Sequence, residues 1–215
     1  MKLHLSVDEV LSTTRAVRKR LDLDKAVPRA IIEECMELAL QAPNGSNRNL
    51  WRWIIVDDPA LIAELADHYR QSVKELWEGQ AAGDESVTAG VPGEDKVLAS
   101  AFALVENLHK VPAMLIPLMP GRPDGLPAFA QAGMWSSILQ AVWSFMLALR
   151  ERGLGSVWTT VSVRHEKQIA ELLGIPMDQF TQVGLFPIAY TIGTDFKKAW
   201  RKPLSEVLSY NKFEL

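Results

Sequence analysis

Ala42-Pro43-Asn44-Gly45-Ser46-Asn47-Arg48-Asn49-Leu50-Trp51 separates two different kinds of sequence periodicity. Upstream, Ile31, Ile32, Cys35, Leu38 and Ala39 recur at helical spacing after Pro28, a residue suited to a first helical turn. Downstream, residues 51–56 are bulky and largely β-branched, the pattern of a short strand. Asp57-Asp58-Pro59 ends that strand, with Asp58 capping a third helix that reaches to about Tyr69. Between helix and strand, proline and glycine stop the helix, while the asparagines offer both donors and acceptors from a turn.

Helices and single strands alternate in the same way in both directions from this loop. Ser6-Val7-Asp8-Glu9 is a capping box that opens a helix through about Thr13. Arg15, Arg18, Lys19 and Arg20 follow, four cations in six residues. Further on, the pattern predicts a helix over 97–109 and a short buried strand bounded by Pro112 and Pro120. A long helix is predicted over 130–152, ended by Gly153. Residues 157–161 read as extended, 164–173 as a helix closed by Gly174, and 181–192 as a strand. Residues 79–95 carry four glycines among small and acidic residues and form a surface excursion, either a flexible flap or a solvent loop. From Gly193 onward the chain reads as an extended tail over 193–215. No repeat and no linker divides it, so residues 1–215 read as one domain of mixed α and β class.

Composition and missing motifs narrow the function. Lys plus Arg is 23 and Asp plus Glu is 26 in 215 residues, a net charge of −3 without the basic excess of a nucleic-acid binder. One cysteine allows no intrachain disulfide, and Asp8 and Glu9 interrupt the apolar core an export signal needs, which together predict a cytoplasmic protein. Residues 125–149 hold no charge and are long enough to span a bilayer. They include Pro127, Gln131, Ser136, Ser137, Gln140 and Ser144, and so read as a buried helix with no membrane partner. His4, His68, His109 and His165 are scattered, giving no zinc or other metal site. No GxSxG elbow and no GxxxxGK[ST] loop occur. Gly153-Leu154-Gly155-Ser156 lacks the third glycine of a dinucleotide fingerprint and follows a helix. What remains is arginines, small polar loops and seven tryptophans. That pattern points to chemistry carried by a bound organic cofactor, flat and phosphorylated. Such a cofactor needs cations for its phosphate, amides for its edges and apolar walls for its faces.

Four segments in register resemble the FMN-dependent nitroreductase family over about residues 10–208. Thr14-Arg15-Ala16-Val17-Arg18 is similar to the family's Arg-Arg-Ser-x-Arg segment, with Thr14 and Ala16 departing from it. The segment from Ala42 to Trp51 is similar to its Ala-Pro-Ser-x-x-Asn-x-Gln-Pro-Trp loop, with Asn49 and Leu50 in place of glutamine and proline. Gly153-Leu154-Gly155-Ser156-Val157-Trp158 is similar to its Gly-Leu-Gly turn, and Arg201-Lys202-Pro203-Leu204 to its closing basic segment. The resemblance implies an α+β fold with a central mixed sheet flanked by helices. It also implies a homodimer with FMN at the interface and a long interface helix. Thr14, Arg15, Ala16, Arg18 and Arg201 are then expected at the phosphate. Asn44, Gly45, Ser46, Asn47 and Asn49 are expected to reach the flavin from the partner subunit. Trp158, Thr159 and Thr160 are expected on the crossing strand, with the Thr160 N–H facing flavin N5. No protein side chain is expected to be catalytic, since hydride passes through FMN. The implied activity is NADH- or NADPH-dependent reduction of nitroaromatics, quinones or similar small-molecule acceptors by a two-step mechanism. Reductive dehalogenation, flavin fragmentation and a non-catalytic flavin carrier or sensor are the alternatives.

Overall fold

The structure is a computed structural model that describes residues 2–81 and 93–213. The first helix, α1 (Val7–Thr13), is closed by the expected box: Ser6 N–H donates to Glu9 and Glu9 N–H donates back to Ser6 Oγ. A two-residue strand β1 (Leu21–Asp22) precedes α2 (Arg29–Ala39), which starts after Pro28. A 3-10 turn (Gly45–Asn47) then leads to β2 (Arg52–Val56). The carboxylate of Asp58 accepts from Ala60 and Leu61 N–H and starts α3 (Pro59–Ala81). Next come α4 (Glu94–Asn107), β3 (Ala113–Pro120) and α5 (Ala128–Glu151). The described chain finishes with β4 (Leu154–Gly155), α6 (Glu166–Leu173), β5 (Phe180–Gln182), β6 (Phe186–Thr191) and an extended tail holding one 3-10 turn.

The sheet runs β1-β6-β3-β2, with β4 against β6 and β5 against β3. Strand β3 is buried along almost its whole length, and its side chains alternate between two cores. Met114, Ile116 and Leu118 enter one core with Leu65 and Tyr69 of α3, Leu104 of α4 and Ile169 of α6. Ala113, Leu115 and Met119 enter the other with Cys35 of α2 and Ile138, Phe145 and Leu149 of α5. Helix α5 is long and apolar enough to cross a membrane by length and composition, yet this run of it lies in the second core.

The α+β class and the long helix are as expected, but several details differ. Every ladder among the described residues is antiparallel, and the expected mixed character is reduced to one parallel bridge, Ala16 with Ser156. Helix α3 runs past Tyr69 because Val73 and Trp77 continue its apolar face into the core. Residues 157–161 form no strand: Thr159 makes a single bridge to Leu185, and Val161 already opens a 3-10 turn. The strand expected over 181–192 is broken at Gly184, whose φ of 147° only glycine adopts readily. Within the excursion expected over 79–95, α3 reaches Ala81 and α4 starts at Glu94; residues 82–92 lie outside the described residues.

Cys35 is fully enclosed between α2 and α5, and burial pushes its thiol pKa up to about 11. A thiol-specific reagent at pH 8 is expected to label the native protein about a hundredfold more slowly than the denaturant-unfolded chain, since only thiolate reacts. Labelling rates within tenfold of each other would contradict this packing.

Candidate functional site

The loop after α2 is held in an unusual backbone conformation by its own side chains. Ser46, Asn47 and Asn49 have φ of 54°, 53° and 52°, in the left-handed region where asparagine is tolerated better than most residues. Asn44 donates through Nδ2 to Asn49 Oδ1 at 3.1 Å, and Asn49 N–H returns to Asn44 Oδ1 at 3.0 Å. Asn49 Nδ2 also donates to the Asn47 carbonyl at 2.8 Å. At the loop's entry, Gly45 N–H donates to Ser137 Oγ of α5 at 2.9 Å. A Cβ on Gly45 would lie 3.2 Å from that hydroxyl, so glycine permits the close approach. This loop, the end of β3 and the first half of α5 border an open groove of about 680 Å³, with Trp51, Phe129 and Met134 among its apolar walls.

Arg15 and Arg201 lie away from this groove. Thr14 Oγ1 donates to the Val10 carbonyl and finishes α1 rather than facing outward. Arg15 Nη1 donates to the Lys197 carbonyl at 2.7 Å, which fixes the tail beside it. Arg15 and Arg201 line one cavity of about 530 Å³ together with Trp200 and Lys202. Ala16 is exposed beside its bridge to Ser156. Arg18 lines neither this cavity nor the groove. It is partly buried near Tyr69, and that burial lowers its pKa, with the tyrosine's charge partly opposing.

Beside the parallel bridge, residues 158–160 divide their roles. Trp158 is 41% exposed, stacks on Phe186 with rings 15° from parallel, and donates Nε1–H to the Val183 carbonyl at 2.9 Å. Thr159 is consumed by the fold: its N–H and its hydroxyl both donate to the Leu185 carbonyl. Thr160 is exposed, and its N–H meets no acceptor among the described residues. Of the expected residues, Asn44, Gly45 and Ser46 line the groove and Arg15 and Arg201 the tail cavity, two separate spaces within one chain, while Arg18 and residues 158–160 line neither. The sequence reading missed Arg48, which lines the groove, and Ser137, which anchors its loop. Ser137 lies in a stretch whose one sequence signal is its lack of charge.

The model of the Nitroreductase family matches residues 11–190, most of the chain. The chain belongs to the nitroreductase family. Among curated relatives, YfhC of Bacillus subtilis (strain 168), provisionally named an NAD(P)H nitroreductase, is 24% identical over 176 residues. That match covers 80% of this chain and 78% of YfhC. Solved structures agree in fold. Iodotyrosine deiodinase bound to FMN and 3-iodo-L-tyrosine superposes with a TM-score of 0.73 at 23% identity, covering 97% of this chain and all of that one. A point mutant of the FMN and NADPH-dependent nitroreductase NfnB, from Sphigopyxis sp. strain HMH, gives 0.66 at 23% identity, with 97% and 100% covered. A BluB-like flavoprotein of Clostridium difficile 630 gives 0.71 at 16% identity, with 97% and 100% covered. In this nitroreductase-family chain the family match stops short of Arg201, so that residue stands on the tail's geometry alone.

Removing the Ser137 hydroxyl takes away one hydrogen bond of about 1 kcal/mol from the loop entry. Ser137→Ala is expected to speed backbone hydrogen exchange across residues 44–49 by about fivefold while the α5 core stays protected. Unchanged exchange in the loop would show that Ser137 does not hold it.

Proposed function

We propose that this chain is an FMN-dependent oxidoreductase that uses NADH or NADPH to reduce electron-poor small molecules such as nitroaromatics and quinones. The observation that carries the reading is the separation of the two residue sets within a chain of this family: each is half of a cofactor site. In a homodimer, the tail cavity of one protomer and the asparagine loop of its partner complete each other. Exposed apolar side chains on α5 and the tail, Phe129, Trp143, Trp200 and Tyr210 among them, support such a dimer.

The residues present suit FMN. Arg15 and Arg201 offer charge-assisted hydrogen bonds to a phosphate, and Lys202 lies on the same cavity. The Thr160 N–H, which meets no acceptor among the described residues, is a donor in segment 158–160 that can face flavin N5, whereas Thr159 N–H is already taken. A fixed donor there stabilises the electron-rich reduced ring. Trp158, stacked on Phe186, belongs to the same segment. The loop asparagines present amide groups to a ring edge that needs both donors and acceptors. Thr14 and Ala16 place backbone rather than side-chain cations at the phosphate end, and Arg18, against Tyr69, serves as a separate cation. Bound FMN supplies hydride acceptance and donation; the chain orients it and keeps one face open for nicotinamide and acceptor in turn.

Reductive dehalogenation or flavin fragmentation on the same scaffold, and a non-catalytic flavin carrier or sensor, are the competing readings. The fold shared with iodotyrosine deiodinase favours the first of these only at the level of architecture. A cytoplasmic setting without membrane or nucleic-acid partners completes the proposal.

Purified protein is expected to be yellow, to bleach on anaerobic addition of NADH or NADPH, and to regain its colour on addition of a quinone, with steady turnover when both are in excess. Bleaching without turnover would make it a carrier, and colourless protein that ignores added FMN would overturn the reading.

A further inference from the structure

Arg150 stands in the last turn of α5 and is only 5% exposed. Its Nε and Nη2 donate to Thr13 Oγ1 at 3.2 and 3.1 Å, and Nη2 also donates to the Thr194 carbonyl at 3.0 Å. Nη1 is fully enclosed and meets no acceptor among the described residues. The hydroxyl of Ser156, 3% exposed, is in the same condition. Both side chains line one small cavity of about 10 Å³, walled also by Thr14, Arg15, Val17 and Phe196.

Among the described residues no carboxylate lines this cavity. The charged groups on its walls and over the Phe196 ring are cationic: Arg15 is on the wall, and Arg20 and Arg150 both lie over that ring, at 4.2 and 5.0 Å. Burial first, and Arg20 second, lower the Arg150 pKa, with the Glu151 charge partly opposing them. The two carboxylates in the neighbourhood are engaged elsewhere. Asp195 pairs with Arg20 at 2.6 Å, and Glu151 accepts from His4 and Leu5 N–H.

We propose that this cavity is a binding site for a single monatomic anion of the chloride class, held between Arg150 Nη1 and Ser156 Oγ. A space of about 10 Å³ excludes phosphate, sulfate and carboxylates and leaves room for one small ion or water. A water would satisfy the two hydrogen bonds but leave a buried guanidinium with no anion in direct contact, a costly state. A chloride accepts both hydrogen bonds and neutralises the charge. The occupant joins the end of α1, the end of α5 and the tail at 194–196, so it braces Thr14 and Arg15 from behind. Its binding needs neither FMN nor turnover.

Crystals of the full chain soaked in sodium bromide and measured at the bromine absorption edge test the site directly. An anomalous peak in contact with Arg150 Nη1 and Ser156 Oγ is expected; no peak there, or density with the scattering of water, would overturn the proposal. In solution, the melting temperature in chloride is expected to exceed that in gluconate of equal ionic strength by about 2–4 °C. Ser156→Ala should remove most of that difference, and the surface variant Lys74→Ala should keep it. Equal melting of the unmodified protein in the two salts would also overturn it.

Discussion

The burial of β3 on both faces is the constraint on which the rest of the structure depends. A strand with Met114, Ile116 and Leu118 on one side and Leu115 and Met119 on the other must be covered by helices twice. Helices α3, α4 and α6 cover one face, and α2 and α5 the other. Pro117 sits in the middle of this strand, where a missing N–H is normally damaging. Here it falls where the partner changes: residues 113–115 pair with β6 and residues 118–120 with β5. Opposite the gap, Val183 N–H donates to the Pro117 carbonyl, and Gly184 turns the chain away. The same bend exposes the Val183 carbonyl to Trp158 and the Leu185 carbonyl to Thr159, and so positions the segment that ends in the Thr160 N–H.

Helix α5 connects that core to both halves of the proposed site. Near its start, Ser137 holds the asparagine loop; at its end, Arg150 holds Thr13 and the tail. One rigid element of 24 residues therefore sets the separation of the loop from the arginine cavity. That separation keeps the groove and the arginine cavity apart within one chain. A flat cofactor lying across two copies would meet cations at one end and amides along an edge, each held by backbone geometry that forms without it.

Much of this was legible in the sequence where a local rule has no tertiary competitor. The Ser6–Glu9 box, the Asp58 cap and the Pro43–Gly45 stop each depend on neighbours within a few residues, and each forms as read. What was illegible depends on distant partners. Nothing local ends a strand at Gly184; the break comes from Pro117 and the Trp158 ring, whose Nε1 would lie 2.6 Å from a Cβ there. Residues 157–161 are β-branched, yet only Thr159 finds a strand edge, so the rest cannot extend. At the site, the asparagine loop and Arg15 with Arg201 were singled out by the resemblance of their segments to the family's. Thr159 was singled out too, but its donors are spent on Leu185, and Arg18 faces Tyr69. Arg150 carried no motif; only its burial without a carboxylate marks it.

The central claim is that a flavin site is completed across two copies of the chain, and a mixed dimer tests it most directly. Asn49→Ala and Arg201→Ala each damage a different half, so each homodimer should bind FMN weakly. In a heterodimer of the two, one site receives both damaged halves and the other receives both intact ones. Differently tagged chains, co-expressed and purified as the heterodimer, should hold about one FMN per two chains at a concentration where both parents are nearly colourless. A heterodimer as colourless as its parents would mean that loop and arginine must come from the same chain, and would contradict the account.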